Sequence, residues 1–312
     1  MNFVRHTILP ILAAFIWGTA FVAQVDGSER LDAFSFNMAR SVVAAVFLFF
    51  VAWGVRIWKT RHEKRSGTWA PRTPAEKREA RKALLISGVI CGTMLTVAAN
   101  LQQAGIAESG AGKSGFITAL YVVLVPVLGL FLKKRVPTRV WISVLLALIG
   151  LYLLSIKKGD FSIERGDFFL ILCALAFAFQ IMTIDHYSGL VNGIELSCCQ
   201  FTVVAIESGL LMLLFSEVSL SDFTAVIGPI LYAGLLSSGV AYTLQIISQK
   251  GANPTLVSLL MSLESVFAVV SGAVMLHERL TGREYLGCAV MFAAVLLSQI
   301  PIEKWKQKNS DA

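Results

Sequence analysis

The stretch AESGAGKSGF, residues 107–116, carries the residue types of a phosphate-binding loop. The motif G-x-x-x-x-G-K-[ST] works because backbone N–H groups between a strand and a helix wrap the phosphate. Gly112, Lys113 and Ser114 match its end, but its first glycine is replaced by Ala107. The flanking sequence is apolar and too long for a strand. We therefore expect a tight turn between two helices, followed by a small-residue helix start that packs closely against its neighbours.

Charged side chains inside long apolar runs are the stronger candidates, because a charge in such a run is costly and normally faces the protein interior. Glu264 lies near the centre of one run. It would bind a substrate amine or exchange a proton, or instead hold helices together through a hydroxyl or backbone partner. Arg40 would orient an anionic substrate group, although we favour a structural clamp. Glu207 has no obvious partner.

Amide and aromatic side chains in the same runs offer hydrogen bonds and flat apolar faces to a ligand. The alternative role for each is helix packing. The candidates of this kind are Trp17, Asn100, Gln102, Gln103, Tyr121, Gln180, Tyr242 and Gln245.

The composition excludes an ordinary soluble domain. Of the 312 residues, 56% are hydrophobic and 15% charged, with a mean hydropathy of +0.70, whereas soluble domains are roughly 25% charged. Runs of about 20 apolar residues recur, which is the length that crosses a bilayer as a helix. We predict an all-α integral membrane protein with ten transmembrane helices, at about 7–24, 33–55, 83–103, 115–132, 139–156, 167–184, 194–215, 224–247, 254–276 and 284–301.

Basic residues predict the orientation, because short loops rich in Lys and Arg stay in the cytoplasm. With a cytoplasmic N-terminus, 19 of the 27 Lys and Arg lie inside, ten of them in the basic loop at 57–82 and its edge. Both termini are then cytoplasmic. The net charge of +7 indicates contact with membrane lipids rather than nucleic acid. Within this loop, Thr73 to Glu76 form a predicted capping box that starts a helix.

The five cysteines and four histidines lack metal-type spacing, so we expect no metal site and no cofactor. The cysteines all lie within predicted spans and are expected to be small packing residues. We also expect the first apolar run to be a membrane anchor rather than a cleaved signal peptide.

The sequence also contains an internal repeat. ILAAFIWGTA at residue 11 aligns with ILCALAFAFQ at residue 171, and LKKRVPTRVW at 132 aligns with LHERLTGREY at 276. The two repeats would be residues 1–156 and 157–312. Since each holds five helices, an odd number, the second is inverted, and Tyr121 becomes the approximate counterpart of Glu264. Inverted repeats are typical of secondary transporters, whose halves rock about a central site.

The stretches WGTAFV at 17, FSFNMARSVVAA at 34, GFITALYVVLVPVLGLFLKKR at 115 and LVSLLMSLESVFAVVSGAVMLHERL at 256 resemble EamA-type members of the drug/metabolite transporter superfamily. The resemblance covers nearly the whole chain and implies a ten-helix carrier that moves small metabolites, often outward, without ATP. Members commonly have Glu-Pro where this chain has Glu264-Ser265, so we expect a straighter ninth helix that keeps its carboxylate.

These observations predict a secondary transporter in a bacterial inner membrane. Its expected partners are a small-molecule substrate and membrane lipids, together with protons if Glu264 couples transport to them. An exporter of amino acids or similar metabolites is the first hypothesis. A nucleotide-sugar or multidrug transporter is the alternative within this class. A membrane-embedded lipid-modifying enzyme is the alternative outside it, and we do not favour it, because no nucleophile, carboxylate cluster or metal-ligand set gathers at one depth.

Overall fold

The protein is described by a computed structural model covering residues 3–69, 73–134, 136–155, 164–275 and 280–299. These residues form helices and connecting turns, without strands. The helices are α1 (Leu9–Ser28), α2 (Ala33–Arg65), α3 (Pro74–Thr118), α4 (Tyr121–Phe131), α5 (Thr138–Ser155), α6 (Arg165–Tyr187), α7 (Gly193–Phe215), α8 (Leu220–Ala225), α9 (Ile227–Tyr232), α10 (Tyr242–Gln249), α11 (Pro254–Met261), α12 (Glu264–Met275) and α13 (Gly282–Gln299), with π-helical turns at Val4–Ile8 and Ala233–Ala241.

The predicted all-α membrane class is confirmed. Within the described residues, seven helical stretches are long and apolar enough to cross a bilayer: Val4–Ser28, Ala33–Arg65, Pro74–Thr118, Arg165–Tyr187, Gly193–Phe215, Ile227–Gln249 and Pro254–Val274. The other three predicted spans coincide with the shorter helices α4, α5 and α13. The predicted repeat boundary at 156 and 157, the span ends at 276 and 301 and the C-terminal tail lie outside the described residues.

The predicted connection between two helices is found within residues 107–116 as a single non-helical residue, Gly110. Its φ is +72° and its ψ is 173°, so α3 consists of two helical segments joined by a kink at this glycine. Only glycine adopts such a conformation without a steric cost, because it lacks a Cβ atom. The predicted capping box is confirmed at the other end of α3, where the Thr73 amide donates to Glu76 Oε2 at 2.7 Å.

Two helices are broken within the apolar interior. Helix α3 ends at Thr118 and α4 begins at Tyr121, while α11 ends at Met261 and α12 begins at Glu264. Tyr121 and Glu264 therefore each occupy the first position of a helix.

The expectation of a straighter ninth helix is therefore wrong. The break lies just before Glu264 although no proline follows it. Ser258 and Ser262 donate to carbonyls three residues earlier, at 2.9 and 2.8 Å, and such back-bonding bends helices. Ser265, in place of the proline, donates to the Gly115 carbonyl at 2.8 Å.

Glycines allow the closest approaches between helices. A Cβ added to Gly18 of α1 would lie 2.7 Å from the Glu264 carbonyl oxygen of α12. Gly150 of α5 and Gly287 of α13 meet each other, because a Cβ on either would lie within 3.1 Å of the other's carbonyl oxygen. Small residues therefore hold α1 against α12 and α5 against α13.

One ion pair joins each end of α6 to a lysine, which lies in α3 in one case and just after α4 in the other. Lys113, just after the bend in α3, pairs with Asp167 at 2.7 Å. Lys134, just after α4, pairs with Asp185 near the other end of α6. Lys113 is therefore held by a carboxylate and belongs to helix packing.

Candidate functional site

A cavity lies among the helices in the apolar interior. Its volume is about 30 Å³. The cavity is therefore narrow, and a ligand of several heavy atoms needs the side chains to move apart. It is lined by Trp17, Phe21, Gln24, Arg40, Gln102, Thr118, Tyr121, Phe177, Ile181, Ser237, Tyr242, Gln245, Met261 and Glu264.

Glu264 contributes a carboxylate to this cavity. Its side chain is buried, and its Oε1 atom has no hydrogen-bond partner among the described residues. The helix break places it at the first position of α12, where the helix dipole favours a negative charge. Tyr121, at the first position of α4, also lines the cavity, and its hydroxyl lies next to the Glu264 carboxylate. These polar atoms are available to a ligand.

Arg40 contributes a cation. It is only 3% exposed, so its guanidinium does not reach the membrane surface. Its Nη1 donates to Gln24 Oε1 at 3.1 Å, and its Nε has no acceptor in the described part of the chain. The Phe36 ring centroid lies 5.8 Å from its guanidinium carbon.

Gln24 is a site residue that the sequence analysis missed. It lies at the end of the first predicted span, where an amide is ordinary for a membrane interface. In the structure it is 4% exposed and lines the cavity. Its backbone carbonyl accepts a hydrogen bond from Gln103 Nε2 at 2.9 Å. Gln24 thus joins Arg40 of α2 and Gln103 of α3 to α1.

Aromatic side chains form one wall. The rings of Trp17 and Tyr242 meet edge to face with centroids 4.8 Å apart, and Phe201 packs behind Tyr242 at 5.4 Å. Trp17 Nε1 donates to the Ser237 carbonyl at 3.4 Å. These contacts fix the ring orientations and present an apolar surface with few polar atoms.

The predicted amides divide into two groups. Gln102 and Gln245 both line the cavity. Gln180 lies behind Gln245 and accepts a hydrogen bond from its Nε2 at 3.3 Å. Asn100 lies away from the cavity lining and donates to Ser208 Oγ at 3.0 Å.

Glu207 also lies outside the cavity lining. Its Oε1 accepts a hydrogen bond from Thr93 Oγ1 at 2.6 Å, so α3 supplies the partner that the sequence did not reveal. Over the described ranges, no group of three or more His, Cys, Asp or Glu residues could hold a metal ion.

The long apolar helices define a multi-pass helical membrane protein with a cavity among its helices. The chain belongs to the EamA-like transporter family, because the family's model matches residues 6–156 and 164–299. The resemblance seen in the sequence is thereby confirmed. An uncharacterized transporter of Archaeoglobus fulgidus is 28% identical over 294 residues, which cover 93% of this chain and 84% of that protein.

A protein of known crystal structure shares the fold. It superposes with a TM-score of 0.70 at 15% sequence identity, over 94% of this chain and 96% of the other. At this identity the likeness concerns the fold alone.

Proposed function

We propose that this membrane transporter is a secondary carrier that exports small metabolites such as amino acids by alternating access. The observation that carries the proposal is the interior cavity, in which Glu264 presents an unpartnered carboxylate oxygen. A buried carboxylate that no cation neutralises is unfavourable, so a cationic group or a proton is its natural complement. Because binding at Glu264 lies inside the bundle, release requires the helices to open a path.

The opening follows from two inverted repeats of five helices each, at residues 1–156 and 157–312. Two features support this division. The family matches the chain in two separate stretches, 6–156 and 164–299. Tyr121 and Glu264, which follow the two helix breaks, are 143 residues apart, which is within one residue of the offset between the repeated stretches at 132 and 276. Two related halves rock about a site between them, which exposes the cavity to each side in turn.

In this arrangement both termini lie in the cytoplasm and the protein lies in a cell inner membrane. The ion pair of Lys113 with Asp167 is then on the outer side, and that of Lys134 with Asp185 on the inner side. Each pair joins one repeat to the other.

Glu264 acts in the cycle by binding the substrate's ammonium group or a proton. Tyr121 lies beside it in the cavity and offers a hydroxyl that accepts from an ammonium or donates to a carboxylate. The edge-to-face pair of Trp17 and Tyr242 provides the apolar contact for a substrate side chain.

The alternatives fit this cavity less well. The diphosphate of a nucleotide sugar would need several cations, whereas Arg40 is the one cationic residue among those that line it. A lipid-modifying enzyme would need a nucleophile with a neighbouring base. We therefore propose no enzymatic activity.

Counterflow in proteoliposomes tests the proposal. Vesicles loaded with unlabelled amino acids receive a labelled amino acid outside, with wild type compared to E264Q. E207Q is the matched control, because it also removes a carboxylate from an apolar helix but lies outside the cavity lining. We expect accumulation by wild type and E207Q and its loss in E264Q at equal reconstitution. Full counterflow by E264Q would exclude Glu264 from the cycle. Absence of exchange by wild type with amino acids, nucleotide sugars and cationic drugs would refute the carrier function.

A further inference from the structure

Among the described residues, no carboxylate pairs with the guanidinium of Arg40. None of the ion pairs formed within the described ranges involves it. Its one described hydrogen bond goes to the neutral amide of Gln24, and its Nε has no acceptor in those ranges. A guanidinium carries five N–H donors and stays charged, so burial with one acceptor is unfavourable unless an anion completes the site.

A purely structural role does not explain this arrangement. A snorkelling arginine extends its charged end to the interface, whereas Arg40 is 3% exposed. An arginine that clamps a helix end donates to free carbonyl oxygens, whereas Arg40 donates to a side chain and lines the cavity. Its remaining donors are available on the cavity side.

Gln24 orients this group. Its backbone carbonyl is held by Gln103 of α3 and its side-chain oxygen holds Nη1 of Arg40. An amide accepts the hydrogen bond without neutralising the cation. A carboxylate at this position would instead give Arg40 an internal counter-ion and make a second anion unnecessary.

From these contacts we infer that Arg40 binds a carboxylate group of the transported substrate and that Gln24 is its positioning residue. The inference rests on the proposed transport function and narrows its substrate class. Arg40, Glu264 and Tyr242 line one cavity. A substrate with a carboxylate and an ammonium satisfies both charges, while the wall formed by Trp17 and Tyr242 takes its apolar side chain.

The opposite charges of Arg40 and Glu264 together select a zwitterionic substrate. A zwitterion brings an anion to Arg40 and a cation to Glu264, so both buried groups gain a partner. An amine without a carboxylate leaves Arg40 unpaired, and an acid without an amine leaves Glu264 unpaired. Leaving a buried charge unpaired lowers affinity by about 30-fold or more.

The test is competition in the counterflow assay with three probes of one shape: L-phenylalanine, phenethylamine and 3-phenylpropionate. Wild type is compared with R40Q, R40K and Q24E. R30Q is the matched control, because Arg30 is an exposed cation outside the cavity lining. The amount of folded, reconstituted protein is measured for each variant. L-Leucine with isoamylamine forms a second set of probes with a smaller side chain.

For wild type and R30Q we expect the amino acid to compete at least 30-fold better than the amine or the acid. R40Q and Q24E should reduce this preference over the amine to within a few-fold, and R40K should retain part of it. Retained preference in folded R40Q would overturn the carboxylate site while leaving the carrier function intact. Unchanged preference in Q24E would overturn the positioning role. A wild type that exchanges none of the probes or other metabolites would refute the transport function itself.

Discussion

Gly18 lies where α1 crosses α12 beside the cavity, and replacing it with alanine should separate these helices. The added Cβ would lie 2.7 Å from the Glu264 carbonyl oxygen and 2.8 Å from the Ala268 amide nitrogen. The Cβ atom of Phe267 would lie closer still, and ordinary contact begins at 3.4 Å, so the helices must move apart by at least about 0.7 Å. Two of these atoms belong to the backbone and the third is bonded to it, so none can rotate away as the end of a side chain would.

The cost of this separation can be estimated. Forcing an extra methyl group into a well-packed site costs about 1 to 3 kcal/mol. Removing a glycine from a helix returns up to about 1 kcal/mol. We therefore expect G18A to lower the free energy of unfolding by about 1 to 2 kcal/mol and to reduce counterflow, since Glu264 moves with its carbonyl.

Thermal unfolding in detergent, with counterflow on the same preparations, measures both effects. G54A is the control, because Gly54 of α2 has no atom within 4 Å of an added Cβ. G54A should be as stable as wild type or slightly more stable. A G18A protein with wild-type stability and wild-type transport would refute the reasoning that backbone contact at Gly18 sets the position of α12.

Two further predictions concern charged groups outside the cavity. D167N should lower the free energy of unfolding by about 2 kcal/mol in a denaturation assay, because Asp167 accepts hydrogen bonds from Lys113, Ser109 and the Glu164 amide. K113Q removes only one of these donors and should lower it by less. A larger effect of K113Q would contradict this ranking. Burial raises the pKa of Asp32, but hydrogen bonds from Ser35 and backbone amides outweigh it and hold the pKa below its ordinary value. Its stabilisation is therefore present above about pH 4 and lost as the pH falls through the lowered pKa. D32A should cost about 1 kcal/mol at pH 7, and this difference should shrink in unfolding measurements below about pH 4; a constant difference would contradict the titration.

The membrane fold was predictable because lipid imposes a simple rule on the chain. A segment must be apolar for about 20 residues and must satisfy its own backbone hydrogen bonds, and both requirements are visible locally. The cavity residues Glu264, Tyr121 and Tyr242 could be predicted for a related reason, since polar or aromatic groups are conspicuous within apolar runs.

Other features depended on packing between distant segments. These helices are apolar on most sides, so no stripe in the sequence marks the face that points inward. Gln24 could not be separated from an ordinary interfacial amide until its bonds to Arg40 and Gln103 were seen. The partner of Glu207, Thr93, is 114 residues away in the chain. The sequence predicted a connection between two helices within residues 107–116, but it did not show that one glycine, Gly110, would suffice to make it.

Helices α5 and α13 contact each other away from the residues that line the cavity. Gly150 and Gly287 bring these helices into backbone contact, and Met291 and Leu154 fill the space around them. No residue of either helix is among those that line the cavity. Substitutions of the cavity-lining residues therefore do not alter the side chains of this joint. In the proposed carrier, a few substitutions in the cavity lining can therefore change the substrate while the contact between α5 and α13 stays the same.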